Sequence, residues 1–179
     1  MHQVSIVPRG WAGGFTLALP EKDVSYQTKK WMEEEIAVLL AGRVAEQLVL
    51  EDVSTGASND IERASKLAKD MVARYGMSEK IGTVSYLDDG EVFIGRDYQS
   101  TKSYSEQVAG TIDQEVKTLI DRAYDQCRDI LKKDSDKLQA LADYLLANES
   151  ITGQQFANLM EGKPLGEAST TSLTDGFEE

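Results

Sequence analysis

One apolar row governs what this chain can become. Val108, Ile112, Val116, Ile120, Tyr124 and Cys127 follow one another at steps of three or four residues, with Leu119, Ala123, Ile130 and Leu131 on the same side. That is the period of an α-helix seen from one face. Sustained over roughly 27 residues, it predicts a rod about 40 Å long at 1.5 Å per residue. Ser103 or Ser105 stands where its N-cap belongs. A rod of that length needs apolar helices alongside it, and the rest of the chain offers them.

From Ser25 to about Leu50, Trp31 or Met32, Ile36, Leu39, Leu40, Val44 and Leu48 recur at helical spacing, with Ser25 as a candidate cap. Ala41-Gly42 interrupts the row with small residues. Glycine inside a helix costs about 1 kcal/mol relative to alanine, so another helix is expected to cross closely there. A further stripe begins at Ile61 and runs through Ala64, Leu67, Ala68, Met71, Val72 and Tyr75, with Gly76 as its C-cap. Two shorter helices follow the long one. The first carries Leu138, Leu141, Leu145 and Leu146, and the second opens on the capping-box pattern Thr152-Gly153-Gln154-Gln155.

Strand signals are few. Gln3–Val7 and Phe15–Leu19, the latter stopped by Pro20, read as a small ribbon around Trp11. Thr83–Leu87 and Glu91–Ile94 flank Asp88-Asp89-Gly90, which reads as a hairpin or as a surface loop. The fold class is therefore mainly α: a helical bundle with one or two small β-ribbons. Residues 1–163 are expected to form one domain. The polar, acidic stretch 164–179, whose residues from Gly166 on include only Leu173 and Phe177 as bulky apolar side chains, reads as a disordered tail.

Charge narrows the function. Against 31 acidic residues stand 19 basic ones, a formal net charge of −12. That sign disfavours nonspecific nucleic-acid binding and attraction to an anionic membrane surface. A single cysteine, Cys127, permits no intrachain disulfide and sits in an apolar helical row, where a buried packing thiol is expected. No run approaches the roughly 18 apolar residues of a membrane span. One histidine, His2, excludes sites that need two imidazoles from this stretch, and neither a Gly-x-Ser-x-Gly elbow nor a Walker loop occurs.

The chemistry concentrates in Ser54-Thr55-Gly56-Ala57-Ser58-Asn59-Asp60-Ile61-Glu62. Residues that bond their own backbone give way there to a helical stripe, with Ser58 or Asn59 as the expected N-cap and Glu62 completing a capping box. Asp60 then lies in the first turn, where orphan amides and the helix dipole favour a carboxylate. It is either a plain helix-start acid or a ligand or base held at a loop-to-helix corner. Glu46, one turn beyond Gly42, is either a solvated acid or a buried functional one.

Several runs taken together decide between these readings. Val4-Ser5-Ile6-Val7-Pro8-Arg9-Gly10, Gly14-Phe15-Thr16-Leu17, Leu40-Ala41-Gly42-Arg43-Val44-Ala45-Glu46, Ser54 to Ile61, Tyr75-Gly76-Met77-Ser78 and Ile112-Asp113-Gln114-Glu115-Val116 occur in order. The chain from Gln3 to about Gly162 thereby resembles the peptidase (M41) domain of the FtsH family, membrane-anchored, ATP-dependent zinc metalloendopeptidases. The resemblance implies that Asp60 is the third zinc ligand, beside the two imidazoles of a His-Glu-x-x-His helix, leaving a fourth position for water that the glutamate deprotonates. It implies for Glu46 a hydrogen bond accepted from a ligand imidazole. By analogy with other zinc proteases, Phe15, Thr16 and Leu17 form an edge on which extended substrate adds as a strand.

The sequence departs from the family at one point: it holds no His-Glu-x-x-His, and His2 belongs to the strand that follows that helix. Of the three protein ligands only Asp60 is present, and no catalytic residue. The chain therefore reads as the C-terminal part of a peptidase domain, with something removed upstream, and is expected to be inactive by itself. The family implies unfolded or membrane proteins as substrates, a hexameric ring, ATP used by a separate ATPase module, and a domain facing the cytoplasm. The alternative is a non-catalytic helical oligomerisation or interaction domain. Loss of the metal-binding helix is expected to uncover apolar side chains near Leu40, Val44 and Ile61.

Overall fold

The computed structural model describes residues 1–8, 10, 13–18, 26–87 and 104–165. In chain order they form β1 (Gln3–Ser5), β2 (Phe15–Leu17), α1 (Lys29–Val49), a 3-10 turn (Thr55–Ala57), α2 (Ser58–Ala73), α3 (Glu106–Lys133), α4 (Ser135–Asn148), β3 (Ser150–Thr152) and α5 (Gly153–Met160). The mainly α reading with a small β component holds. The chain divides into two compact units, one of residues 24–133 and one of residues 1–23 with 134–179.

The larger unit is built on α1, α2 and α3. The apolar row that predicted a long helix forms one of 28 residues, with the Ser105 hydroxyl accepting the Val108 amide at its start. Met32, Ile36, Leu39, Leu40 and Val44 of α1 meet Ala64, Ala68 and Met71 of α2 and Ala123 and Cys127 of α3 in one core. Ala64 and Ala68, one turn apart, are fully buried. Their small side chains let the neighbouring helices approach α2, where larger residues would overpack. A second cluster gathers Val72, Ala73 and Ile112 under Ile81, Tyr86, Leu87 and Tyr104.

The smaller unit is a three-stranded antiparallel sheet in the order β2-β1-β3, covered by α4 and α5. Its core is Leu145, Ile151 and Leu159, with Val4, Leu141, Tyr144 and Phe156 packed on it. The ribbon is present as expected. β3 went unseen in the sequence because it is three residues long with one buried apolar side chain, Ile151. Left-handed Glu149 turns the chain from α4 into it, and Thr152 at once caps α5 with the expected capping box.

Other expectations are corrected. α1 begins at Lys29, four residues after Ser25, because the Thr28 hydroxyl caps it at 3.2 Å from the Trp31 amide; Ser25 lies outside the described residues. Among the described residues no helix crosses closely at Gly42, which is exposed and where an added Cβ would meet nothing within 4 Å. Leu40 and Val44 are buried rather than uncovered, since α2 and α3 enclose them; the apolar residues that α1 leaves exposed are Trp31, Val38 and Val49, with Leu50 behind them. α2 ends at Ala73, before Gly76. Thr83–Leu87 forms no strand, and the Tyr86 and Leu87 amides instead donate to the Ala73 carbonyl. The turn Asp88–Gly90, Glu91–Ile94 and the stretch 166–179 lie outside the described residues.

Candidate functional site

The loop that leads into the helix of Asp60 is tied back onto the helix that carries Glu46. α1 stops at Leu50, and Glu51, with φ +52°, reverses the chain in the left-handed region. Three residues later Ser54 comes against the last turns of α1. Its hydroxyl donates to Glu46 Oε1 at 2.5 Å, and its amide donates to Glu46 Oε2 at 3.2 Å. Its carbonyl accepts from Arg43 Nη2 at 2.7 Å, while Arg43 Nη1 stands 3.6 Å from Glu46 Oε2.

Glu46 is thus neither a free surface acid nor an apolar-facing one. The two bonds from Ser54, hydroxyl first and amide second, hold its carboxyl below the ordinary range, and Arg43 adds to them against a small opposing effect of burial.

Ser54 also starts the 3-10 turn, its oxygen accepting the Gly56 amide at 3.1 Å. The turn runs without a break into α2, whose N-cap is Ala57 and whose first residue is Ser58. The capping box expected from Asn59 and Glu62 does not form: no side chain caps α2, and Ala57 is buried. A side chain that cannot accept a hydrogen bond holds the cap position because tertiary contact, not a local cap, fixes the helix start.

Asp60 falls in the first turn, as expected. Its carboxylate is about half exposed and faces Arg63, with Oδ1 at 3.8 Å from Nη1. A surface pair at that distance contributes little. Asp60 therefore fits the part of one oxygen donor. It stands as a single donor: among the described residues no group of three or more His, Cys, Asp or Glu side chains stands together to hold a metal ion. His2 is exposed at the start of β1 in the other unit. Phe15, Thr16 and Leu17 form β2, which pairs with β1 along one side and lies at the edge of the described sheet. Cys127 is buried in the core, and burial raises its thiol pKa, as befits a packing residue. Among the described residues no helix is long and apolar enough to cross a membrane.

Sequence reasoning named Asp60 and Glu46 but missed Arg43 and Ser54, which connect them. The signal was available in part, since Arg43 and Glu46 are an i, i+3 pair on one helix face.

Comparison with known proteins adds the family. Residues 1–159 match "Peptidase family M41". An ATP-dependent zinc metalloprotease FtsH of Caldicellulosiruptor bescii is 52% identical over 161 residues, which are 89% of this chain and 26% of that protein. The ATP-dependent zinc metalloprotease FtsH 1 of a Thermoanaerobacter species is 48% identical over 166 residues, 92% of this chain and 27% of that protein. The FtsH of Bacillus subtilis is 42% identical over 169 residues, 93% of this chain and 26% of that protein. The chain spans about a quarter of the length of these curated relatives. With the match covering all but the last 20 of its 179 residues, the chain belongs to peptidase family M41, the family of the FtsH metalloproteases.

Proposed function

We propose that these residues are part of the peptidase domain of an ATP-dependent zinc endopeptidase, and that Asp60 supplies one carboxylate to its metal. The observation that carries this is the placement of Asp60: a half-exposed acid in the first turn of α2, just after a loop fastened to α1. Two imidazoles and the catalytic glutamate come from a His-Glu-x-x-His outside these 179 residues, which hold a single histidine. Zinc at such a centre polarises the scissile carbonyl and activates water. The residues of this chain hold and orient. Asp60 gives an oxygen ligand, and Glu46, whose oxygens each keep a lone pair beyond the Ser54 bonds, accepts from a ligand imidazole. β2, through Phe15, Thr16 and Leu17, offers substrate an edge to pair with. Membrane anchoring, a hexameric ring, ATP use by a separate module, a cytoplasmic face and unfolded or membrane proteins as substrates belong to the same reading.

By itself this polypeptide holds zinc weakly and does not cut protein. Elemental analysis after dialysis is expected to find far less than one zinc per chain; near-stoichiometric metal overturns that statement. In the full-length enzyme, Asp60→Ala is expected to lose zinc and proteolysis together. Full zinc occupancy in that variant removes Asp60 from the ligand set.

A second reading, a helical interaction module, has its own support. Trp31, Val38 and Val49 are exposed on α1, with Leu50 just past its end. A concentration series in light scattering distinguishes the two: a monomer throughout argues against self-association of this chain.

A further inference from the structure

The position of Asp60 is decided outside its own helix. α2 has no capping side chain, so its start follows the 3-10 turn, and the turn follows Ser54. Ser54 in turn is gripped through its hydroxyl, its amide and its carbonyl by two α1 side chains one turn apart. Arg43 closes the arrangement by spanning the Ser54 carbonyl and the Glu46 carboxylate with two nitrogens of one planar fork. Each bond is separately modest at a surface. Three on one residue leave it no alternative position, because displacing it breaks all of them together.

We propose that Arg43, Glu46 and Ser54 are positioning residues, a clamp that fixes where Asp60 stands relative to α1 without touching the metal. The inference rests on the reading of Asp60 as a ligand. Ligands drawn from separate elements must be held within about 0.5 Å of their productive place by their supports, and here the support is this clamp. Lysine in place of Arg43 keeps the charge but cannot span both acceptors. Alanine at Ser54 removes the hydroxyl that bonds both Glu46 and Gly56, whereas threonine retains it.

The test has two arms. In the 179-residue chain, amide hydrogen exchange is read over residues 54–61 together with the melting temperature. Arg43→Lys and Ser54→Ala are expected to speed exchange about 10-fold in that stretch and to leave the rest of α2 and the melting temperature unchanged; Ser54→Thr is expected to restore protection. Unchanged exchange overturns the proposal. So does acceleration spread along α2 with a lowered melting temperature, which marks a general structural role. In the full-length enzyme, zinc affinity is measured by competition with a chelator. Arg43→Lys is expected to weaken it about 10–100-fold, the range for supports of a metal ligand. If Asp60→Ala abolishes tight zinc binding and Arg43→Lys leaves it intact, the clamp has no positioning role. If Asp60→Ala itself leaves zinc in place, the ligand reading falls instead, and the exchange result alone then describes the loop.

Discussion

The two ends of α2 are each fastened by a serine hydroxyl, a glutamate carboxylate and a cation, in different surroundings. Before the helix, Ser54 donates to Glu46 of α1, and Arg43 supplies the cation. After it, the Ser78 hydroxyl donates to Glu115 Oε2 of α3 at 2.7 Å, and Lys80 Nζ stands 2.7 Å from Glu115 Oε1. The later fastening is closed over at its serine, while Lys80 reaches it from the surface. Ser78 is buried, its hydroxyl also accepts from the Lys80 amide, and Gly76 lets the chain pass so close that an added Cβ would lie 2.7 Å from Thr83 Cα. The earlier one is open to water: Ser54, Thr55 and Gly56 are all exposed. The closed end therefore carries stability. The open end carries position, and it sits beside Asp60, the acid proposed as a metal ligand.

The largest effect is expected at the closed end. Gly76 holds φ +61°, and alanine there meets both an unfavourable backbone region and the Thr83 backbone. A loss of about 2–4 kcal/mol follows from strain plus overpacking, measurable by denaturant unfolding. A loss under half that size means the 76–83 crossing is loose. Next comes Glu115→Ala, which deprives buried Ser78 of its acceptor and is expected to cost about 1 kcal/mol, the usual net worth of a hydrogen bond. Glu46→Ala at the open end is expected to cost less. Equal losses in the two variants break the contrast.

Acidity sharpens it further. Bonds from Lys80 first and Ser78 second hold the Glu115 carboxyl below its ordinary value, with the charges of Lys80 and Arg122 adding to them. A lowered folded pKa means stability that is complete above the unfolded value of about 4.3 and drains away as pH falls through the folded one. Unfolding midpoints are therefore expected to drop on the acid side of that value, and to drop less steeply in Glu115→Gln. Parallel acid curves for the two proteins contradict the assignment.

These ends also show what the sequence can and cannot carry. α3 was legible because its apolar period persists through most of a 28-residue helix, and Thr152 with Gln155 announced α5 because a capping box is a local pattern. Asp60 was legible as a first-turn acid. The start of α2 was not: Ser58 and Asn59 are better caps than Ala57 by local preference, yet a grip on Ser54 eight residues along from Glu46 overrides them. Gly42 misled in the other direction, since its lack of a side chain suggested a crossing helix and the described residues leave it open to solvent. Reach between elements was the missing information in each case.

The smallest effect is the most discriminating. Gly56 has no left-handed φ, and an added Cβ would lie 3.2 Å from Ser54 Oγ. Alanine there gains about 0.4–1 kcal/mol by restricting the unfolded chain, provided the hydroxyl can give way by a few tenths of an ångström. It cannot do so freely, because Glu46 holds it at 2.5 Å and the Gly56 amide at 3.1 Å. Gly56→Ala alone is therefore expected to leave stability within about 0.5 kcal/mol, the usual range for a surface change, and to speed exchange at residues 54–58. In a Glu46→Ala background the hydroxyl is released, and the same change is expected to become stabilising. A double-mutant cycle on the 179-residue chain measures that coupling. Identical effects of Gly56→Ala in both backgrounds show that Glu46 does not hold Ser54 in solution, and with that the difference between the two ends of α2 loses its basis.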